Sequence, residues 1–168
     1  SPVSDTMLAR ARGLTVPELP DVELYLHALR PRIVGQRLER ARIASPFLLR
    51  TVDPPVNDIE GRVVHAVSRL GPRIVWRLDE GLFVVIHLMI AGRFRWRPSG
   101  TAIPGKIGLA AFDFPNGTLL LTEAGARRRA SLQVVRGEGG LSALDPGGVD
   151  VLSASLEAFA DALTRERQ

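Results

Sequence analysis

The sequence predicts an α+β fold, an antiparallel β-sandwich of about seven or eight strands with flanking N- and C-terminal helices. Short apolar segments rich in β-branched residues recur through the middle of the chain, separated by Gly, Pro, Asn and Asp turn signals. Apolar residues at helical spacing occur near each end of the chain. The 168 residues, of which 45% are hydrophobic, are enough to bury one sizeable core.

The first predicted element is an amphipathic helix over residues 20–34. Pro20 suits the first turn of a helix, where its missing N–H costs nothing, and Gly35 is a stop signal. Pro31 lies inside the segment and favours an early end. We expect the apolar stripe of this helix to be buried against the sheet. The stripe consists of Val22, Leu26, Leu29 and Ile33.

The strands are predicted from apolar runs and alternation between consecutive turn signals. Asp79-Glu80-Gly81 and Pro115-Asn116-Gly117 are hairpin signals, and Pro54-Pro55 marks a turn or the start of a short helix. The predicted strands are 37–44, 61–69, 73–78, 82–88, 93–97, 107–114, 118–122 and 131–136.

The two ends of the chain differ from this middle region. Residues 1–15 offer few apolar anchors, and we expect them to be a leader that is flexible or not native. A Gly-rich loop follows the last predicted strand, and apolar residues from Val151 to Leu163 outline a C-terminal helix over about 150–166. The apolar stripe of that helix needs a partner, as it would if a further helical domain followed.

Composition excludes several classes of protein. The chain has no cysteine, which rules out a disulfide framework, a Cys-ligated zinc site and a thiol nucleophile within it. Its three histidines are too scattered in the sequence to indicate a metal cluster. No run approaches the roughly 20 apolar residues of a membrane span, and the first residues lack the apolar stretch of a signal peptide. We therefore expect a cytoplasmic protein.

Arginine carries nearly all of the positive charge: 21 of the 22 basic residues are Arg, and the other is Lys106. Residues 62–97 have a net charge of +5 and residues 123–136 one of +3, whereas residues 137–168 have −4. Basic segments suit DNA or RNA, because neutralised phosphates release counterions. An arginine-rich composition with solvated surface charges fits these counts equally well.

The most specific local signal is the sequence Pro-Glu-Leu-Pro-Asp-Val-Glu at residues 17–23. Two later segments support it: residues 84–92, which contain His-Leu and end in Ala-Gly, and residues 121–129, in which Leu-Thr-Glu precedes three Arg. In this order they resemble the formamidopyrimidine-DNA glycosylase and endonuclease VIII family. Its signatures are an opening Pro-Glu-Leu-Pro-Glu-Val-Glu, a His-Leu-x-Met-x-Gly turn and a Thr-Asp-Pro-Arg-Arg-Phe region. The resemblance covers roughly residues 16–168.

The resemblance implies a DNA glycosylase with AP lyase activity in base excision repair. Pro17 would be the nucleophile: as a free N-terminal amine it attacks C1′ of a damaged nucleotide, displaces the base and leaves an imine, from which the strand breaks by elimination. Glu18 would donate a proton to the departing sugar oxygen. For an isolated Pro-Glu-Leu-Pro segment, the alternative is a rigid entry into a helix.

The implied partner is double-stranded DNA with damaged bases or abasic sites, bound by a monomer that associates with the bacterial nucleoid while on DNA. No cofactor is implied for this chain, since the zinc finger of the family lies beyond residue 168. We interpret residues 16–136 as the catalytic β-sandwich domain. Residues 137–168 would be a linker and the first helix of a helix–two-turn–helix region.

Two residues depart from the family pattern. Pro17 follows Val16, so its nitrogen is an amide without a basic lone pair. Pro72 stands where the family has a lysine that assists elimination and contacts phosphate, although Arg73 is placed to hold a phosphate. The alternative function is therefore a catalytically silent DNA- or protein-binding module of the same fold.

The family inserts a Met, an Arg and a Phe into the space left by an everted base. Met89 or Ile90 corresponds to the first and Arg128 or Arg129 to the second, while Ala130 and Ser131 follow in place of a Phe. Core packing is the alternative for Met89, and a solvated loop is the alternative for the arginines.

Other residues of the central region are ambiguous. Arg93, Arg95 and Arg97 alternate with aromatic residues, and either a solvated sheet face or DNA contact fits them. His87 lies among aliphatic residues and is interpreted as a hydrogen-bonded core histidine.

Overall fold

The structure is a computed structural model that describes residues 20–144. These residues form nine strands in two antiparallel sheets, with one long helix near the N-terminal side and a short helix after the last strand. The predicted fold class is confirmed. Residues 1–19 and 145–168 lie outside the described part, and with them the leader, Pro17, Glu18 and the predicted C-terminal helix.

The strands pair within two sheets that face each other across the core. In chain order they are β1 (Arg37–Leu38), β2 (Arg40–Ile43), β3 (Arg62–Leu70), β4 (Arg73–Leu78), β5 (Leu82–His87), β6 (Gly92–Arg97), β7 (Gly108–Phe114), β8 (Gly117–Glu123) and β9 (Ser131–Arg136). The five-stranded sheet has the order β1-β3-β4-β5-β9, and the four-stranded sheet has the order β2-β7-β8-β6.

The predicted strand 37–44 is two strands that belong to different sheets. Leu38 pairs with Arg62 in β3, whereas Ile43 pairs with Ala110 in β7. Glu39 lies between them, and its backbone N–H donates to the carbonyl oxygen of Asp113 at 2.8 Å. The segment therefore crosses from one sheet to the other within a single residue.

The first helix, α1 (Val22–Ile33), begins two residues later than predicted. Asp21 caps it, because its carboxylate accepts a hydrogen bond from the Leu24 N–H at 3.0 Å. The apolar stripe is buried as predicted, apart from the half-buried Val22. Pro31 does not end the helix: it lies in the last turn, and the Val34 N–H beyond it still donates to the Arg30 carbonyl oxygen at 3.2 Å.

Aromatic side chains fill the core between the sheets. The Trp76 and Phe112 ring centroids are 5.0 Å apart in an edge-to-face arrangement, and Tyr25 and Phe94 are 5.4 Å apart in the same geometry. Tyr25 belongs to α1, so this cluster fixes the helix to the sandwich.

A second apolar cluster lies on the outer face of the five-stranded sheet. The short helix α2 (Gly137–Ser142) packs there through Leu141, against a cluster that includes Phe83 and Val135. The prediction of a Gly-rich loop after β9 was wrong over these residues, because packing of Leu141 and Leu144 on the sheet gives the segment a partner. A 3₁₀ helix (Val56–Ile59) follows Pro54-Pro55, the second of the two predicted alternatives.

Candidate nucleic-acid interface at one end of the sandwich

One end of the sandwich gathers the turn before Arg73, the segment with Met89 and Ile90, and the loop with Arg128 and Arg129, which the sequence singled out for DNA contact. β3 ends at Leu70 where β4 begins, His87 pairs with Ser131, and Gly92 pairs with Glu123. The loops after these residues therefore lie side by side. We call this the basic end; it consists of residues 20–23, 44–50, 69–73, 87–92, 103–107 and 124–130. The opposite end, called the far end, consists of residues 34–39, 58–65, 77–81, 113–118 and 136–142.

A pocket of 380 Å³ opens at the basic end where α1 begins. Pro20 and Asp21 form one wall. In the sequence, Leu19 separates them from Pro17 and Glu18, which lie outside the described residues. The β3–β4 turn and the β5–β6 turn supply the other walls. The lining residues are Pro20, Asp21, Val22, Glu23, Arg69, Pro72, His87, Leu88, Met89 and Ile90.

The β3–β4 turn brings one ion pair and one apolar side chain to the pocket. The Arg69 guanidinium lies 2.7 Å from the Glu23 carboxylate and also donates to the Gly71 carbonyl oxygen at 2.9 Å. Pro72 lines the wall at the position where the resemblance expects a lysine. The sequence did not single out Arg69 or its partner Glu23 for this site, although Arg69 lies close to the Gly71-Pro72 turn signal.

His87 lines the pocket and is half-buried. Burial, with a contribution from the Arg73 charge, lowers its pKa below the usual 6.5, so the ring is neutral at pH 7. Within residues 20–144 the ring makes no hydrogen bond, so the prediction of a hydrogen-bonded core histidine was wrong. The chain places this ring at the pocket because β5 ends there.

The β5–β6 turn presents two apolar side chains to the pocket. Met89 has a φ of 59°, a left-handed conformation that is rare outside glycine, and it is half-buried. Ile90 is 56% exposed. In the His-Leu-x-Met-x-Gly pattern, the spacing between His87 and Gly92 gives the Met position to Ile90. The structure thus brings both Met89 and Ile90 to the pocket, with Ile90 more open to solvent.

Gly92 is required by the tight closure of this turn. Its N–H donates to the Leu88 carbonyl oxygen at 2.9 Å, and a Cβ at Gly92 would lie 2.4 Å from that oxygen. The Arg93 guanidinium also braces the turn by donating to the Ile90 and Gly92 carbonyl oxygens at 2.9 and 2.8 Å. Arg93 therefore supports the turn rather than standing free on a solvated sheet face.

The loop after β8 carries three adjacent exposed arginines, Arg127, Arg128 and Arg129. Glu123 is buried at its start, and its carboxylate accepts hydrogen bonds from the N–H groups of Arg129 and Ala130 at 3.0–3.3 Å. The carboxylate nearest to these arginines is therefore occupied by hydrogen bonds from backbone N–H groups. Arg128 donates to the Lys106 carbonyl oxygen.

Two further kinds of feature are absent from the part of the chain that the structure describes. No group of three or more His, Cys, Asp or Glu side chains is arranged to hold a metal ion there. Among the same residues, no helix is long and apolar enough to cross a membrane.

The fold is shared with a solved DNA glycosylase. Lactococcus lactis formamido-pyrimidine DNA glycosylase, non-covalently bound to DNA that contains an AP site, superposes with a TM-score of 0.62 and 22% sequence identity. The superposition covers 71% of this chain and 45% of that protein. The sandwich therefore has the class of fold found in the N-terminal part of these glycosylases.

The chain belongs to the family described as "Formamidopyrimidine-DNA glycosylase N-terminal domain", which matches residues 16–131. A formamidopyrimidine-DNA glycosylase of Geobacter metallireducens is 32% identical over 106 residues, which are 62% of this chain and 39% of the relative. The Paraburkholderia phymatum enzyme is 36% identical over 81 residues, 48% of this chain and 29% of the relative. The chain thus spans well under half the length of these relatives.

Proposed function

We propose that the chain is the N-terminal part of a DNA glycosylase with AP lyase activity that removes damaged bases in base excision repair. The observation that carries this proposal is the pocket at the start of α1, whose walls include Pro20 and the turn that follows His87. In the sequence, Pro20 follows the Pro17-Glu18 pair after one intervening residue. Its substrate would be double-stranded DNA with damaged bases or abasic sites, as in the DNA-bound Lactococcus lactis structure. A monomer in the cytoplasm suits this role.

The proposed chemistry belongs to Pro17 and Glu18. The Pro17 nitrogen forms a bond to C1′ of the damaged nucleotide, and the bond between C1′ and the base breaks with the base as leaving group. Glu18 donates a proton to the sugar ring oxygen as the ring opens, which leaves an imine (an iminium ion, because this amine is secondary) at C1′. Elimination then moves a proton from C2′ to the Glu18 carboxylate that the earlier step left ionised; a double bond forms between C2′ and C3′, and the bond from C3′ to its phosphate oxygen breaks with the phosphate as leaving group. An amine and a carboxylic acid suffice, so no cofactor is proposed for this chain.

The Pro17 nitrogen reacts only as a free amine, and in the 168-residue chain it is acylated by Val16. Valine is encoded by GTG among other codons, and bacteria also read GTG as a start codon. We propose that translation begins at Val16 as methionine, whose removal leaves Pro17 as the first residue.

DNA would be held by the basic end. Arg73, Arg128 and Arg129 would contact phosphates, since no carboxylate pairs with them within residues 20–144. Met89 or Ile90 would fill the space of the everted base, and the greater exposure of Ile90 favours it for this role.

Trapping with borohydride tests the chemistry, because it reduces the imine to a stable bond between protein and abasic-site DNA. A chain that begins at Pro17 and continues through the natural C-terminus is expected to be trapped at Pro17. The 168-residue chain is expected not to be. Trapping of the 168-residue chain at Pro17 would contradict the proposal, and trapping at Lys106 would identify a different nucleophile. Mass spectrometry of the native protein tests the start.

A second candidate function is a catalytically silent DNA-binding module, and Pro72 at the pocket wall is the observation that favours it. Proline has no side-chain amine to assist elimination, and the guanidinium of the neighbouring Arg73 is a poor proton shuttle. A native protein that retains residues 1–16, binds DNA and is never trapped would support this function.

A further inference from the structure

A second groove lies at the basic end, away from the pocket at α1. It has a volume of 540 Å³ and runs between the loop after β2 and the loop before β7. Its walls combine apolar side chains with polar groups, and they include Pro46, Phe47, Ile103, Pro104 and Arg128.

Phe47 is the most unusual of these residues, because its side chain is 79% exposed while the next residue, Leu48, is buried. The loop that carries it is hydrogen-bonded to both sheets. The Ser45 N–H donates to the Leu109 carbonyl oxygen at 3.1 Å, and the Leu132 N–H donates to the Leu48 carbonyl oxygen at 2.8 Å. The exposed ring therefore stands on an anchored loop.

The charge around the groove is positive. Arg128 lines it and donates to the Lys106 carbonyl oxygen, and Arg50 donates to the Phe47 carbonyl oxygen at 2.8 Å. No carboxylate is among the described residues that line the groove. A flat apolar ring next to permanent cations is the arrangement by which proteins bind unpaired nucleobases, with the ring stacking on the base and the cations holding the phosphates.

We propose that the Phe47 groove binds an unpaired nucleobase of the DNA strand held at the basic end. The proposal rests on the proposed function in taking DNA as the ligand, and it adds a base-binding site that is separate from the α1 pocket. A second copy of the chain fits the groove less well, because two basic ends would repel each other. Phe47 would hold a base by stacking, without reading its sequence.

A Phe47→Trp variant of the 168-residue chain reports on this site. Trp76 and Trp96 are buried, so the new indole supplies the emission that a ligand can reach. We expect a single-stranded oligothymidine 12-mer to quench this emission strongly and a fully paired 12-base-pair duplex to quench it weakly. Heparin, a polyanion without bases, is expected to leave it unchanged. Val52→Trp is the matched control, because Val52 is 91% exposed and does not line the groove.

A Phe47→Ala variant measures the contribution of the ring. Loss of one stacked base is expected to weaken oligothymidine binding by about tenfold or more. Phe47→Leu keeps an apolar side chain without the aromatic face and is expected to recover only part of the loss. Unchanged affinity in Phe47→Ala, equal quenching by heparin, or no binding of oligothymidine would overturn the proposal. A blue shift of Phe47→Trp emission that grows with protein concentration, without DNA, would assign the groove to a second copy and overturn it as well.

These outcomes are separate from those of borohydride trapping. Trapping of the Pro17-initiated chain without quenching in Phe47→Trp contradicts the groove proposal and leaves the glycosylase proposal standing. Quenching in Phe47→Trp without trapping of the Pro17-initiated chain contradicts the glycosylase proposal and leaves the groove proposal standing.

Discussion

The two ends of the sandwich are both rich in arginine, but they use its charge differently. At the far end, the Asp113 carboxylate is bound through both oxygens by the guanidinium of Arg42 from the adjoining strand β2, at 2.8 and 2.9 Å. The Thr118 hydroxyl donates to the same carboxylate at 2.5 Å. Further ion pairs join Arg62 to Glu80 and Arg136 to Asp58, and the His65 ring is hydrogen-bonded to the Asp79 carboxylate.

At the basic end, Arg69 with Glu23 is the one ion pair between side chains of the described residues. The buried Glu123 is used by backbone N–H groups, and the arginines of its loop have no carboxylate partner within residues 20–144. The comparison shows that net charge alone does not identify a binding surface. Charges at the far end hold strands together, whereas those at the basic end remain available to an external anion.

The largest loss of stability is expected from Asp113→Ala at the far end. It leaves the mostly buried Arg42 guanidinium without its partner, and such losses cost about 2–4 kcal/mol of unfolding free energy. Urea denaturation measures this, and DNA affinity should be unchanged while the protein is folded. Arg77→Ala, at an exposed position, is the control and should cost less than about 0.5 kcal/mol. Equal losses in both variants would contradict the comparison.

Removing the arginines of the basic end should affect binding and leave stability unchanged. The triple variant Arg73→Ala, Arg128→Ala, Arg129→Ala is expected to lose tenfold or more in DNA affinity at low salt. The slope of log affinity against log salt should fall by about 0.9 for each phosphate that the protein no longer neutralises. The parent chain is expected to bind DNA with little sequence preference, in the range of about 10⁻⁴–10⁻⁶ M.

A matched triple variant at the far end tests whether position or total charge matters. Arg37→Ala, Arg77→Ala, Arg136→Ala removes the same net charge and should change DNA affinity far less than the basic-end triple. If the two triples weaken binding equally, the basic end is not a specific phosphate surface.

Replacing one glycine at each end of the sandwich compares the two ends without changing any charge. A Cβ at Gly117 would lie 2.3 Å from the Trp96 ring, and one at Gly92 would lie 2.4 Å from the Leu88 carbonyl oxygen. Either Gly→Ala change should cost about 1–3 kcal/mol, because the surroundings must shift. Thermal unfolding should show similar losses, but only Gly92→Ala, which distorts the pocket turn, should weaken binding to abasic-site DNA. Equal binding losses would contradict this.

Acid should weaken the far end through its carboxylates. Hydrogen bonds from the Val63 N–H and the His65 side chain lower the pKa of Asp79 below 3.8. Burial alone would raise the pKa of Asp113, but hydrogen bonds from Arg42 and Thr118 outweigh it and lower that pKa too. Both carboxylates therefore contribute stability that is present above about pH 4 and lost as the pH falls through their folded-state pKa values. In the Asp79→Asn variant, the free energy of unfolding should change less with pH below pH 4, as urea denaturation at several pH values would measure.

The smallest effect on stability is expected from replacing His87 at the basic end. Its lowered pKa means that the unfolded chain takes up the proton first, so stability decreases as the pH falls from 6.5 through the folded-state value. His87→Asn should remove this slope between pH 7 and 5 and leave the far-end slope below pH 4 intact. A steeper slope in the variant would contradict the assignment.

The elements that the sequence predicts well are those with a local pattern. Residues 93–97 alternate strictly between arginine and aromatic side chains, and β6 buries its aromatic side chains as that alternation requires. The split of 37–44 was missed, because where a strand changes sheets depends on distant partners in β3 and β7. Helix α2 was missed because Gly-rich sequence has no helical signature, and its support comes from packing on the sheet.

For the site, the sequence identified the arginine loop and the β5–β6 turn but not Phe47. The segment around Phe47 has the apolar composition of a core strand, so the sequence does not show which of its side chains is exposed. In the structure the loop buries Leu48 and leaves Phe47 exposed. Which of Met89 and Ile90 is the more exposed at the pocket depends on the conformation of the turn, and only the backbone shows that conformation. The roles of Pro17 and Glu18 remain predictions.

The crossing at Glu39 limits how the chain can change in length. Because one residue separates β1 from β2, and each pairs with a fixed register in a different sheet, an inserted or deleted residue here cannot be absorbed by a loop. Shifting either strand by one position would turn its side chains to the opposite face. The two-residue turn at 115–116 differs, because it joins β7 to β8 within one sheet and an insertion there leaves their pairing in register. Any descendant of this sequence that keeps both sheets must therefore keep the length of residues 37–43.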